Sequence, residues 1–573
     1  MFEGLPETYE HCRDWTWDEF EPLAQALVAV DLSADNVESW LDGWTQITRL
    51  YYEIGSRAFV ATTVDTSDEA AVERYRIFND HIQPEYSRVQ NQLNRKLVES
   101  GLQPAGMEIA LRKMRGGIEL FREENLPLLS AEQNLATEYN RVIGAQTVEW
   151  EGEQVTLRQL QPILSEPDRD RRERAWRLSS QRSLEDRDQL NDIWARSLDL
   201  RSQIAANADM PDYRAYRWKA LNRFDYTPAD ALSFVDAIEE VVTPAYARSM
   251  ERRRRALAVD RLRPWDTQND PQGRSPLRPF NDVADLQDKT IAIFRALDAE
   301  LAGYLTLMRD DGCLDLDNRP NKAPGGYCSY FPLSRRPFLF MNAVGLHADV
   351  QIMLHEAGHA FHSFSDDYLP WAQQRDAPLE FAEVASMAIE LLAAPYLSAA
   401  NGGFYSRADA ARARIEHLED SLRFWCLVAI VVGFQHWVYT HHDQARDPEK
   451  CDDQWESLWD RHMPVIDYSG FENYKRFRWR ERMHIFSLPF FFIEYGLAQL
   501  GAVQVWANSL NDHETALRQY RQALRLGTTV SLPQVYRAAG AKFAFDADTL
   551  RGAVSLIETT IAELEAVERA TSS

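Results

Sequence analysis

The sequence predicts a mainly α-helical protein in which one helix carries a metal-type motif and a small β-hairpin lies just ahead of it. Three observations carry this. Apolar residues recur at three- and four-residue steps, as Trp40, Trp44, Ile47, Leu50, Tyr51 and Ile54 do, which is the period of an amphipathic helix. Leu354–Ala360 reads Leu-His-Glu-Ala-Gly-His-Ala, an H-E-x-x-H pattern with Val350, Ile352, Met353 and Phe361 on its flanks. Two short aromatic runs, Tyr327–Phe331 and Phe338–Met341, are joined by a Pro-Leu-Ser-Arg-Arg-Pro turn.

Taken in order, the stretch from Trp15 to about Ser130 reads as long amphipathic helices without strand-like alternation. Ser165-Glu166-Pro167-Asp168 is a helix start, with a capping Ser and an early Pro. The helix it opens carries Arg169, Arg171, Arg172, Arg174 and Arg177, and a later helix carries Arg252 to Arg255. Both runs are expected to be solvated or salt-bridged faces; the rival reading is that some of them meet a substrate carboxylate. Arg263 to Asp282, rich in Pro, Gly, Asn and Asp, is the clearest long loop. Helical pattern resumes at Val283 and runs to about Met308. In the hairpin, Gly325-Gly326 permits close backbone approach, and an edge strand there could hold an extended peptide through main-chain hydrogen bonds. We place an N-terminal helical lobe at residues 1–200 and a catalytic lobe at 201–573.

Composition limits the function. The 573 residues include 16 Trp and are 45% hydrophobic, enough for a large core. A net charge of −25 argues against a general nucleic-acid binder, since phosphates would be repelled. Five widely spaced Cys without a C-x-x-C pattern suggest free thiols in a reducing compartment. Met1 to Trp17 is acidic and lacks an apolar core, so no signal peptide is expected. The apolar run Phe424–Phe434 is too short to span a bilayer and reads as a buried helix. A cytoplasmic protein without membrane partners is the expectation.

On a helix, His355 and His359 project from one face one turn apart and can grip one Zn²⁺. Glu356 beside them is placed to act as general base. A catalytic zinc site needs a third protein ligand. H-E-x-x-H-x-x-G-x-x-H is excluded, because His362 and Ser365 occupy its Gly and final His positions. The alternative is a Glu from a following helix, and Glu380 and Glu383 are both candidates. Glu383 has Ser386, Met387 and Glu390 on its own face, and Glu390 could accept a hydrogen bond from a ligating imidazole. His347 and His362 read as structural.

His355-Glu-Ala-Gly-His359 with Phe381-Ala-Glu-Val-Ala-Ser386 resembles the zinc peptidases of the thimet oligopeptidase and oligoendopeptidase F family, with the bacterial oligoendopeptidase F branch most similar. The resemblance extends through Pro264-Trp265-Asp266, Gly325–Cys328, Phe340-Met-Asn342 and His484-Ile-Phe to Glu494-Tyr-Gly496. It implies a two-lobed helical bowl with a deep active-site channel, one zinc per chain and short unfolded oligopeptides as substrates. It also implies Glu383 as third ligand, and His484 and Tyr495 as hydrogen-bond donors to the scissile carbonyl. One departure is Phe490-Phe491-Phe492, where family members carry Tyr within the triplet. The expected activity is zinc-dependent endopeptidase. The rivals are a carboxypeptidase or dipeptidyl carboxypeptidase on the same scaffold and a catalytically silent peptide-binding protein.

Overall fold

The computed structural model describes residues 2–319, 321–323 and 325–571. They are mostly helical, with two small sheets. Two compact units emerge, each assembled from three stretches of chain. The first comprises residues 1–121, 279–407 and 501–543; the second comprises 122–278, 408–500 and 544–573.

In the first unit, α1 (Val37–Val64) buries the periodic residues Trp40, Trp44, Ile47, Leu50, Tyr51 and Ile54. They form a core with Phe20, Leu27, Leu93 and Leu111. The short α2 (Glu69–Ile77) follows, capped by Asp68. In the second unit, α3 (Arg169–Glu185) is capped by Asp168, whose carboxylate accepts from Asp170 and Arg171 N–H. Its arginines are salt-bridged, as their clustering on one helix predicts: Arg169 and Arg172 both hold Asp266, at 2.8 and 3.1 Å. Asp266 is fully buried and also accepts from the Arg263 N–H. The Pro264-Trp265-Asp266 motif inside the long loop is thus an anchor for α3.

A hairpin of β1 (Thr147–Trp150) and β2 (Glu153–Thr156) also belongs to the second unit. Its strands are four residues each, too short for alternation to announce them. The expected helix from Val283 to Met308 divides in the structure. It ends at Leu297, Asp298 caps a second helix by accepting from Glu300 and Leu301 N–H, and that helix runs to Asp310.

The aromatic hairpin is present, as β4 (Tyr327–Phe331) and β5 (Arg336–Ala343), paired antiparallel with Tyr327 opposite Phe340. A strand that periodicity did not reveal, β3 (Leu314–Asp317), adds parallel to the other side of β5. The order β3-β5-β4 leaves β4 at the sheet edge. The sheet leads directly into α4 (His347–Asp366), the H-E-x-x-H helix. Asp349 fixes its start, accepting from Val344 and Leu346 N–H at 2.8 Å each.

The next long helix, α5 (Leu379–Ala393), crosses α4 at Gly358. A Cβ at Gly358 would stand 2.5 Å from Ser386 Cα and 2.8 Å from the Ala385 carbonyl. Both are backbone atoms, which cannot swing aside. From the other side, Tyr520 donates to the Ala385 carbonyl at 2.7 Å. The run Phe424–Phe434 lies within α6 (Arg407–Thr440), whose most apolar window is 78% buried in protein. Residues Phe492–Asn511 form α7.

Gly358→Ala should destabilise the fold by about 1–3 kcal/mol, the scale of overpacking a tight contact, and should weaken metal binding as α4 and α5 move apart. Urea unfolding and Zn²⁺ titration check this; unchanged values in both would show that the two helices can separate freely.

Candidate functional site

Helix geometry brings His355 and His359 onto one face of α4, with ring centroids 5.0 Å apart and planes at 82°. Glu383 reaches them from α5. Its Oε2 lies 3.5 Å from His355 Nε2 and 3.8 Å from His359 Nε2. One ligand atom from each of the three residues lies within 4.8 Å of the other two. Two atoms bound at 2.0–2.1 Å to one tetrahedral Zn²⁺ stand about 3.3–3.4 Å apart. The two imidazole–carboxylate spacings are close to that value and too long for good direct hydrogen bonds. Two nitrogens and one carboxylate oxygen are also a donor set suited to zinc.

The residues behind this triangle orient it. Glu390 Oε1 lies 2.7 Å from His355 Nδ1, so Nδ1 donates to that carboxylate and Nε2 is the nitrogen that faces Glu383. Ser386 donates to Glu383 Oε2 at 3.3 Å. Glu380, the other carboxylate the sequence allowed, is buried but does not belong to the triangle.

Burial dominates the electrostatics. It works against charge on His355, but Glu383 and Glu390 outweigh it and hold that pKa well above the usual value. Burial and the neighbouring His355 push His359 down to about 4. Burial pushes Glu356 up to about 7, with Glu383 and Glu390 adding to the rise against His355. A carboxyl with a pKa near neutrality suits proton transfer in either direction.

His347 and His362 stand outside the triangle. His347 Nδ1 meets Tyr405 Oη at 2.7 Å. His362 is buried beside Phe381, and burial takes its pKa down to about 3.

His484 and Tyr495 belong to the second unit, where they form a pair: Nε2 and Oη are 3.3 Å apart. Aromatic rings enclose them. Phe492 lies 4.9 Å from the His484 ring and Phe491 lies 5.1 Å from the Tyr495 ring. Of the triplet, Phe490 and Phe492 are buried, while Phe491 is half-exposed. Phe490 has a left-handed φ of 65°, held by its N–H donating to Gln435 Oε1 at 3.2 Å. Arg223 fixes the same turn: it donates to the Phe490 carbonyl and pairs with Glu494 at 2.7 Å, both side chains 1% exposed. Nothing in the local sequence pointed to Arg223 or Gln435, because each acts across more than fifty residues of chain. Gly358 could have been noticed, as the glycine inside H-E-x-x-H.

The family model described as peptidase family M3 matches residues 163–554, and that of the peptidase M3 N-terminal domain matches 14–108. The chain belongs to peptidase family M3. Solved structures agree on the fold. PZ peptidase A, solved with an inhibitor, is 24% identical with a TM-score of 0.90, covering 96% of this chain and 98% of its own. A protein assigned as an oligoendopeptidase F is 25% identical with a TM-score of 0.88, covering 95% and 96%. Another so assigned, from Bacillus anthracis str. Ames, is 20% identical with a TM-score of 0.86, covering 99% of both chains. No curated protein sequence matches the chain. This M3 member is a peptidase, and its His355–His359–Glu383 triangle lies on α4 and α5 within the matched residues.

In this M3 peptidase, Glu383→Ala should abolish stoichiometric Zn²⁺ binding, while Glu380→Ala retains it. Glu390→Ala should weaken Zn²⁺ by roughly 10- to 100-fold, as expected when the partner of a ligating His is removed. Metal content of the purified variants decides; retention by Glu383→Ala with loss by Glu380→Ala would reverse the ligand assignment.

Proposed function

We propose that the protein is a zinc-dependent endopeptidase acting on short unfolded oligopeptides. The observation that carries this is the His355–His359–Glu383 triangle with Glu356 beside it and Glu390 behind it, on a chain of the M3 family. Zn²⁺ held by those three side chains would supply Lewis acidity and lower the pKa of water toward ~7.

The chain's own residues supply the rest. Glu356, buried and with its pKa raised, takes a proton from the attacking water and hands it to the leaving amine. His484 and Tyr495 donate hydrogen bonds to the carbonyl oxygen as negative charge builds on it. Both roles rest on the family motif. The geometry adds that the two side chains are mutually positioned and braced by the Arg223–Glu494 pair. Edge strand β4 offers main-chain groups to an extended peptide.

Quenched peptides with a free or an amidated C-terminus test the reading. Internal cleavage of both, lost to chelator and restored by Zn²⁺, is expected; cleavage of the free form alone would make the protein an exopeptidase. Glu356→Gln should keep its zinc and fold but lose about 10²–10⁴-fold in turnover; loss of the metal would make Glu356 a ligand instead.

Tyr495→Phe should lower kcat by roughly 10- to 10³-fold with little change in KM, as for loss of one oxyanion donor. An unchanged kcat would assign Tyr495 to packing. Phe491→Tyr, at the half-exposed position of the triplet, tests whether a second hydroxyl adds activity.

A further inference from the structure

The first unit contains a cleft on the face of the three-stranded sheet opposite α4. Strand alternation separates the two faces. A Cβ at Gly326 would meet Ile352 of α4 at 3.3 Å, so Gly326, Cys328 and Tyr330 share the α4 side. Tyr327 and Phe331 face α1 instead: Tyr327 Oη lies 2.5 Å from Thr63 Oγ1, and the Arg57 guanidinium sits 4.2 Å over the Phe331 ring. The cleft on this second face has a volume of about 910 Å³, and its walls include Tyr9, Arg57, Arg74, Phe331, Arg336 and Phe338.

The charges in it do not cancel locally. Arg57 is held by Glu53 at 2.7 Å and Ser334 at 3.0 Å. Arg336 pairs with Asp311 at 2.5 Å. The second acid on the wall, Asp315, is taken by Arg319 at 2.6 Å and Lys322 at 2.9 Å. Arg74 has no ion pair and no side-chain hydrogen bond among the described residues. Both acids are thus engaged, while one guanidinium stands beside an aromatic and aliphatic wall of Phe331, Phe338, Val60 and Val64. A concave site of this size, with aromatic walls, paired charges and one guanidinium outside those pairs, has the form of a small-molecule pocket.

We propose that this cleft binds an apolar monocarboxylate, with the carboxylate on Arg74 and the apolar body against Phe331 and Phe338. A free aryl or alkyl acid and the C-terminal residue of a peptide share this chemistry. The inference does not depend on the peptidase mechanism and is read out by binding alone.

Calorimetric titration with 3-phenylpropionate and with 3-phenylpropanamide tests it. The acid should saturate one site per chain. The uncharged amide and the Arg74→Ala variant should each weaken binding by about tenfold or more, the scale of a lost charge-assisted hydrogen bond. Arg74 is exposed and makes no ion pair or side-chain hydrogen bond among the described residues, so Arg74→Ala should unfold at the wild-type temperature. Ala61→Phe, which fills the cleft, should also abolish the site. N-acetyl-Ala-Phe and its C-terminal amide form the second arm. If that acid binds the Arg74-dependent site more tightly than 3-phenylpropionate, the ligand is a peptide C-terminus; if more weakly, a free acid. Failure of both acids to saturate any site, or equal affinity in Arg74→Ala, overturns the proposal.

Discussion

The first unit depends on one contact without a side chain, the crossing of α4 over α5 at Gly358. The space there is set by the backbone at Ala385 and Ser386, and any Cβ would force the helices apart. That separation is also the distance from the two imidazoles to Glu383, because His355 and His359 flank Gly358 on one helix and Glu383 lies three residues before Ser386 on the other. Side-chain rotation cannot recover a backbone displacement of an ångström without disturbing the bonds from Glu390 and Ser386. Tyr520, bonded to the Ala385 carbonyl, holds α5 against that displacement.

The second unit solves a related problem by other means. Its His484–Tyr495 pair straddles a turn whose Phe490 has a conformation unfavourable for a bulky residue. Strain of that kind persists only when the surroundings over-determine it. Here the Arg223–Glu494 pair, almost without solvent, ties the Phe490 carbonyl to α7. Breaking such a pair by removing one partner leaves an uncompensated buried charge, typically at about 3–5 kcal/mol. The pair therefore reads as a positional device: it fixes the turn that presents His484 to Tyr495.

How much of this was legible in the sequence follows from the range of each interaction. The helix of His355 and His359, the hairpin Tyr327–Met341 and the salt-bridged arginines of α3 all showed, because their signals lie within a few turns or strands of themselves. Glu383 was one of two candidates from residue spacing, and only the family motif or the crossing of α5 could separate it from Glu380. The break at Asp298 was missed because a cap is a single residue inside an otherwise unbroken apolar period. Strand β3 was missed because four residues carry too little pattern. Arg223, Gln435 and Tyr520 were not visible, since each acts on a carbonyl or carboxylate far along the chain.

The charges around the triangle explain why a cation suits this place. Glu356 and Glu383, both buried, act with the partly exposed Glu390 on one another and on two partly exposed imidazoles. Glu383 and Glu390 favour the charged form of His355, while burial favours the neutral form of Glu356. Buried carboxylates at this density are costly unless paired or coordinated. A divalent ion held by His355, His359 and Glu383 would place two positive charges where the carboxylates converge. It would favour the ionised form of Glu356, the form a base needs. The same charges therefore suit the group to a cation, and Glu390 contributes by engaging His355 Nδ1, which leaves Nε2 as the nitrogen facing Glu383.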